Sequence, residues 1–398
     1  MNTRLQVEHV VTEMITGLDL VEWQLRVASG EPLPLTQPQI KHQGHAVEVR
    51  LYAEDPARDF LPGAGKLSLF RLPHERPDLR IETGFRAGDT ITPFYDAMIA
   101  KLIAWGGDRA AALQRLSTAL GTTRIAGLAS NRDLLRRIVT HPDFSTGAQD
   151  TGFIERNRST LLVPASAPPQ ALIAAGCGLL NDQSVKVTTR DPHSPWQQRD
   201  GWRLVGAASQ RFVFRDGDAE RELRFCHEGA QYRCELDGVT YGVKTHRHCE
   251  PDAKQSSSIE GSGLLRLFAP RNDDAAQIEL DIDGTRIEAS VCRENGMVWV
   301  VLDDGTYRLS YRDPLSPARA TDAGPRRLTA PLPGKVSAVL VSAGATVKRG
   351  QILILLEAMK MEHAIVAPAD GKVERVNYAP GDLVTEDAEL LVFAASEG

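Results

Sequence analysis

Apolar side chains recur at helical spacing near the start of the chain. Ile15, Leu18, Val21 and Leu25 predict one helix over about residues 12–28, stopped by Gly30-Glu31-Pro32 and packed by one face on a sheet. From Gly44 to Tyr52 the period changes to two, Ala46 aside, which predicts a strand. Residues 108–120 read as another helix capped by Asp108, and Ser130 caps one through Ile138. Thr3 to Glu8 also alternates, so Arg4, Gln6 and Glu8 share one face of an expected strand. Residues 1–160 are therefore expected to be one mixed α and β unit.

A Pro/Ala-rich stretch from Val163 to Pro169 breaks this pattern. One apolar helix, about 170–180, follows it. Short strands come next, at 211–214, 221–225, 232–236, 239–245, 264–268, 278–282, 286–291 and 297–302. Asp216-Gly217, Asp237-Gly238, Asp283-Gly284 and Asp304-Gly305 supply hairpin signals between them. One helix and some eight antiparallel strands predict a barrel over residues 165–312 that covers Leu172, Ile173, Leu179 and Leu180. The Pro/Ala-rich residues 313–327 read as a flexible tether reaching ~40–45 Å when extended at ~3.1 Å per residue.

Residues 328–395 contain a repeat. Shifted by 37, Ala330, Pro331, Gly334, Lys335, Val336, Val339, Gly344, Val347 and Leu353 meet Ala367, Pro368, Gly371, Lys372, Val373, Val376, Gly381, Val384 and Leu390. Neither half can cover its own apolar strand, so the two are expected to pack as a small sandwich. The joint between them reads Glu357-Ala358-Met359-Lys360-Met361-Glu362-His363, a hairpin tip that presents Lys360 to solvent.

Composition narrows the function. Of 398 residues, 42% are hydrophobic and 25% charged, which is ordinary for globular domains. The net charge of −6 argues against a general nucleic-acid binder, and no apolar run approaches the ~20 residues of a membrane span. The start, Met1-Asn2-Thr3-Arg4-Leu5-Gln6, lacks signal-peptide character, so a cytoplasmic location is expected. Cys177, Cys226, Cys234, Cys249 and Cys292 form no Cys-x-x-Cys pair and are expected as reduced thiols. His246-Arg247-His248-Cys249 reads as a strand end, because its histidines and cysteine would point to opposite faces. Pro62-Gly63-Ala64-Gly65-Lys66 lacks phosphate-loop spacing and reads as a turn.

Ala358-Met359-Lys360-Met361, at the tip between the duplicated halves, resembles the attachment site of biotin carboxyl carrier domains over residues 329–394. The resemblance implies covalent biotin on Lys360, flanked by Met359 and Met361, and a biotin protein ligase that installs it. A lipoyl carrier shares the fold, but its lysine usually follows Asp and lacks these methionines.

Asn2-Thr3-Arg4-Leu5-Gln6-Val7-Glu8-His9, with Gly44-His45-Ala46-Val47-Glu48-Val49-Arg50 and Ala53-Glu54-Asp55-Pro56, resembles biotin carboxylase, an ATP-grasp family that uses ATP and Mg2+. By that resemblance Glu8 is the general base, Arg4 with the backbone at Gln6-Val7 holds bicarbonate, Arg50 stabilises the biotin enolate, and Asn2 sits beside the metal. A cation for the anionic substrate beside a carboxylate base suits this chemistry. Val10 stands where the family usually has proline. The glutamate, glycine-rich lid and nucleotide lysines that precede this segment in the family are not in the sequence, so the expectation is an incomplete ATP-grasp unit that cannot cleave ATP alone.

The domain order resembles the α subunit of a biotin-dependent acyl-CoA carboxylase, with a separate carboxyltransferase β subunit as partner and the middle domain as its docking piece. Residues 194–204, Ser-Pro-Trp-Gln-Gln-Arg-Asp-Gly-Trp-Arg-Leu, are similar to bacterial 3-methylcrotonyl-CoA carboxylase α subunits. Acetyl-, propionyl- and geranyl-CoA carboxylases stay open as alternatives, as does a non-catalytic carrier or assembly remnant.

Overall fold

The computed structural model describes residues 3–92, 94–162, 166–185, 203–204, 206–228, 231–246, 276–294, 296–311, 327–358, 361–385 and 388–395. In the first part of the chain, β1 (His45–Tyr52), β2 (Leu79–Thr83) and β3 (Met98–Gly106) form an antiparallel sheet with β3 in the middle. Alternation along β1 buries Val47, Val49 and Leu51 in one core with Leu102 and Ala104 of β3. Helices α1 (His9–Thr16) and α3 (Arg109–Thr122) pack on β1 and β3. Asp108 caps α3, accepting from the Ala111 N–H at 2.8 Å.

Three expectations need correcting here. The single helix over 12–28 is two, α1 and α2 (Leu20–Ala28), because Gly17 takes left-handed backbone at φ 72° and ends the first. Asp19 then starts the second by accepting from the Glu22 N–H at 2.8 Å. Only α1 packs on the sheet; α2 buries none of its residues, and Val21 and Leu25 are exposed. Residues 3–8 are not a strand but an irregular turn into α1, and among the described residues no strand pairs with them. The cap position of α4 (Arg132–Thr140) belongs to Asn131, not Ser130. The Asn131 side chain serves the sheet instead, accepting from the Tyr52 N–H at 2.9 Å and donating to the Arg50 carbonyl at 3.2 Å.

The second part has α5 (Pro169–Val185) against a closed antiparallel barrel of eight described strands: β4 (Ser209–Asp216), β5 (Ala219–Glu228), β6 (Gln231–Leu236), β7 (Val239–His246), β8 (Ala276–Ile282), β9 (Thr285–Glu294), β10 (Met297–Val301) and β11 (Thr306–Tyr311). Phe214 opposite Tyr311 closes it. Leu172, Ile173 and Leu179 are buried in the barrel core, and Leu180 packs against it, as expected. A Cβ on Gly176 would collide with the Phe225 ring, so the helix approaches β5 more closely than any other residue would permit. Asp237-Gly238 and Asp283-Gly284 both take positive φ, the hairpin turn their sequence predicts. The strand expected at 264–268 lies outside the described residues, and β11 is one the hydrophobic pattern did not single out.

These two parts meet. Leu69, Ala126, Cys292, Trp299 and Val301 form a small shared core, with hydrogen bonds from Ser68 to Glu294 and from Arg71 to Gln277 beside it.

The third part is a sandwich of β12 (Arg327–Thr329), β13 (Gly334–Val339), β14 (Thr346–Val347), β15 (Ile352–Ala358), β16 (Met361–Val366), β17 (Gly371–Val376), β18 (Leu383–Val384) and β19 (Glu389–Ala395). Its sheets run β12-β19-β17-β14 and β16-β15-β13-β18. A shift of 37 residues carries β13 onto β17, β14 onto β18 and β15 onto β19, so each sheet is assembled from both halves of the repeat.

Among the described residues no helix is long and apolar enough to cross a membrane, and no cluster of three or more His, Cys, Asp and Glu could hold a metal. Cys177, Cys226 and Cys234 are free cysteines, and they and Cys292 are buried. Burial pushes the Cys177 thiol up, and pushes Cys234 up to about 12. Cys249 and the end of the His246–Cys249 stretch lie outside the described residues.

Candidate functional site

The face of the β1-β3-β2 sheet away from α3 is polar, and two of its rungs are charged. Glu48, Ile103 and Arg80 lie across the three strands in one rung; Arg50, Lys101 and Glu82 lie across them in another. The period of two in β1 produces this placement, since it separates Glu48, Arg50 and Tyr52 from the apolar face.

Glu8 stands at the start of α1, and its carboxylate accepts a hydrogen bond from Arg50 Nη2. Arg50 Nη1 donates to the Tyr52 hydroxyl at 3.3 Å. That hydroxyl, with Glu8, raises the Arg50 pKa against the opposing effect of burial, so the guanidinium stays charged. Lys101 Nζ donates to the Val7 carbonyl at 3.0 Å and pairs with Glu82 at 2.5 Å. Burial works against ionised Glu82, but the hydrogen bonds and charges of Lys101 and Arg80 outweigh it and lower its pKa. Arg80 continues the network to Glu13 at 2.8 Å, and Glu13 accepts from the Leu20 N–H at 2.8 Å, which ties α2 to the sheet.

Glu48 is different. Both of its carboxylate oxygens are buried without a hydrogen-bond partner. Burial lifts its pKa to about 7, with Glu8 and Glu82 adding to the rise and Lys101 and Arg50 opposing it.

Of the residues singled out in the sequence, Arg4, Gln6 and Glu8 line one open cleft of about 810 Å3 between the 3–9 segment and α2, beside Trp23. Arg50 meets this group through Glu8, and Val7 through Lys101. Asn2 lies outside the described residues. At the other end of the chain, Ala358 pairs with Met361 across β15 and β16, and Glu357 with Glu362. Met359 and Lys360, between those strands in sequence, lie outside the described residues, and of Met361 only the backbone is described.

Lys101, Glu82, Tyr52 and Glu48 were not expected at this site. Lys101 has a visible signal, being the lone charge in the apolar run Met98-Ile99-Ala100-Lys101-Leu102-Ile103-Ala104. The other three have none beyond the alternation of their strands.

Four family models match successive parts of the chain. Residues 1–36 match the carbamoyl-phosphate synthase L chain ATP-binding domain, 48–156 the biotin carboxylase C-terminal domain, 168–314 the BT domain of the methylcrotonyl-CoA carboxylase α-subunit, and 326–393 the biotin-requiring enzyme domain. The α subunit of mitochondrial methylcrotonoyl-CoA carboxylase from Dictyostelium discoideum is 37% identical over 98% of this chain and 54% of its own length. The Mus musculus protein of the same name is 36% identical over 100% of this chain and 53% of its own. The chain thus spans about half the length of the curated relatives it matches. A solved biotin carboxylase domain of thermophilic 2-oxoglutarate carboxylase bound to bicarbonate is 40% identical, covering 41% of this chain and 37% of that one at a TM-score of 0.40.

Proposed function

Since the chain carries, in order, the C-terminal domain of biotin carboxylase, the BT domain of methylcrotonyl-CoA carboxylase α subunits and a biotin-requiring domain, we propose that it is the biotin-bearing α subunit of an acyl-CoA carboxylase. The favoured acyl-CoA is 3-methylcrotonyl-CoA, because the middle domain matches the BT-domain model of that α subunit. Its partners are a carboxyltransferase β subunit and the biotin protein ligase that modifies it; nucleic acid and membrane have no part in the reading. The proposed divisions are 1–160, 165–312 and 328–395, with 313–327 as the tether. Free, buried thiols suit a reducing compartment such as the cytoplasm.

One observation carries the reading. Lys360, in Ala-Met-Lys-Met, is at the joint of a duplicated sandwich, where the Ala358–Met361 register leaves two residues between strands and the flanking Glu357 and Glu362 are exposed. Joined to Lys360, biotin supplies a nucleophilic ureido nitrogen on a long arm.

The remaining roles fall to the chain's own side chains. Arg4 and the backbone at Gln6-Val7 hold bicarbonate in the cleft, and Glu8 accepts the proton from its hydroxyl. Arg50, kept charged by Tyr52 and Glu8, is placed to stabilise negative charge that develops beside that carboxylate. ATP and Mg2+ belong to the same reading, with Asn2 as the metal's neighbour and no step here running through it.

Intact mass tests the proposal. Coexpressed with a biotin protein ligase, the chain gains the mass of one biotin and the Lys360→Ala variant gains none. An unchanged wild-type mass, or the mass of a lipoyl group, overturns it.

A further inference from the structure

Arg50 and Lys101 stand opposite one another on β1 and β3, and they grip consecutive residues of the same segment. Arg50 takes the Glu8 carboxylate; Lys101 takes the Val7 carbonyl, at 3.0 Å. Lys101 is only 8% exposed. Burying an ammonium is costly unless it is paired and hydrogen-bonded, and a strand needing only bulk there would be served by the residue types of its neighbours Ile99, Leu102 and Ile103. Its partner Glu82 is shared with Arg80 at 2.5 Å, so Glu82 has a cation without Lys101. What Lys101 alone supplies is the bond to the Val7 carbonyl.

That bond has a direction. In a trans peptide the carbonyl and the following N–H point opposite ways, so drawing the Val7 oxygen toward the sheet turns the Glu8 N–H away from it. Gln6 and Glu8, on either side of Val7, both line the open cleft. We propose that Lys101 is a positioning residue for bicarbonate: by anchoring the Val7 carbonyl, its ammonium holds the adjoining Gln6-Val7 backbone in place for the anion while the Glu8 side chain stays with Arg50. This rests on the reading of Glu8 and the Gln6-Val7 backbone as the bicarbonate site.

The test uses Lys101→Met, which keeps length and removes charge, and Lys101→Arg, which keeps charge, both carried in an α subunit completed to the length of the curated relatives and assembled with its partner subunit, because the chain by itself spans about half of that length. Lys101→Met raises the KM for bicarbonate about tenfold, the worth of one charge-assisted hydrogen bond, with kcat and the KM for ATP little changed. Lys101→Arg restores most of the loss. In the full chain, amide exchange of residues 4–9 quickens about tenfold in Lys101→Met while that of residues 109–122 is unaltered. A uniform loss across kcat, both KM values and all segments reduces Lys101 to a structural role and overturns the proposal. Wild-type bicarbonate KM and wild-type exchange at 4–9 overturn it equally. Glu8→Gln separates the two readings: if it abolishes turnover while Lys101→Met behaves as wild type, only the Lys101 role falls; if Glu8→Gln turns over normally, the bicarbonate site itself is wrong.

Discussion

Arg132 Nη2 lies 3.1 Å from the Leu302 carbonyl oxygen, so a fully buried guanidinium on α4 ends on the wall of the barrel. The same side chain donates to Leu120 at 2.9 Å and to Gly121 and Asp303 at 3.2 Å, and the neighbouring Asp133 accepts from the Thr306 N–H at 2.8 Å. Arg124 adds an ion pair to Asp303. One arginine thus holds the C-terminal turn of α3 and the turn before β11 together.

Arg132→Met takes this donor from the Leu120, Leu302 and Asp303 carbonyls, while Gly121 keeps the one from Arg124. The expected loss is about 3–5 kcal/mol, typical of breaking a buried charged network. In scanning calorimetry of the full chain the first two parts of the molecule are expected to melt as one transition in the wild type and to separate into two in the variant. A single unshifted transition would sink this.

Glu48 makes stability fall with pH. Its folded pKa, about 7, lies above the ordinary value of 4.5, so the folded state holds a proton that the unfolded state releases earlier. The stabilising proton is fully present below about 4.5 and is lost as pH rises through about 7. Glu48→Gln removes that slope. Relative to wild type its stability should climb by about 1–2 kcal/mol between pH 5 and 8, the shift being reduced by screening at a half-buried site. Parallel denaturation curves for the two proteins at every pH would refute it.

Gly176→Ala reverses the usual rule for helices. Alanine in place of glycine ordinarily stabilises a helix by about 1 kcal/mol. At Gly176 the added methyl meets the Phe225 ring and Leu223, and at Gly178 it meets Val291 at 2.6 Å. Both variants are expected to lose about 1–3 kcal/mol through overpacking. A raised midpoint in urea would show that α5 sits farther from β5 than it does here.

The two repeated glycine positions, Gly334 with Gly371 and Gly344 with Gly381, differ in what they tolerate. A Cβ at Gly371 runs into the Ala394 carbonyl and the Phe393 ring, whereas Gly344, at φ 89°, has nothing within 4 Å. Gly371→Ala should therefore unfold the sandwich or cut its biotinylation sharply, while Gly344→Ala costs only about 1 kcal/mol for its left-handed backbone. Equal biotin incorporation by both would count against the close approach.

How far the sequence discloses all this depends on range. Asp237-Gly238 and Asp283-Gly284 announce their hairpins because the turn is decided by two adjacent residues. The sandwich is legible because its repeat can be counted. The elbow at Gly17 is harder: Leu18 and Val21 keep helical spacing across it, and only the left-handed glycine and the Asp19 cap reveal two helices. The alternation of Arg4, Gln6 and Glu8 is real but answers to the cleft and to Arg50, not to a ladder. Lys101 reaches Val7, 94 residues away, and Arg132 reaches Leu302, 170 away, and no local pattern encodes such distances.

The sandwich's interleaved sheets also bear on its history. Each 37-residue copy supplies strands to both layers, so deleting either copy would strip both layers at once rather than leave one intact. Such an arrangement acts as a ratchet: a change that ornaments the joint around Lys360 or lengthens a loop leaves both layers whole, whereas removal of one copy does not.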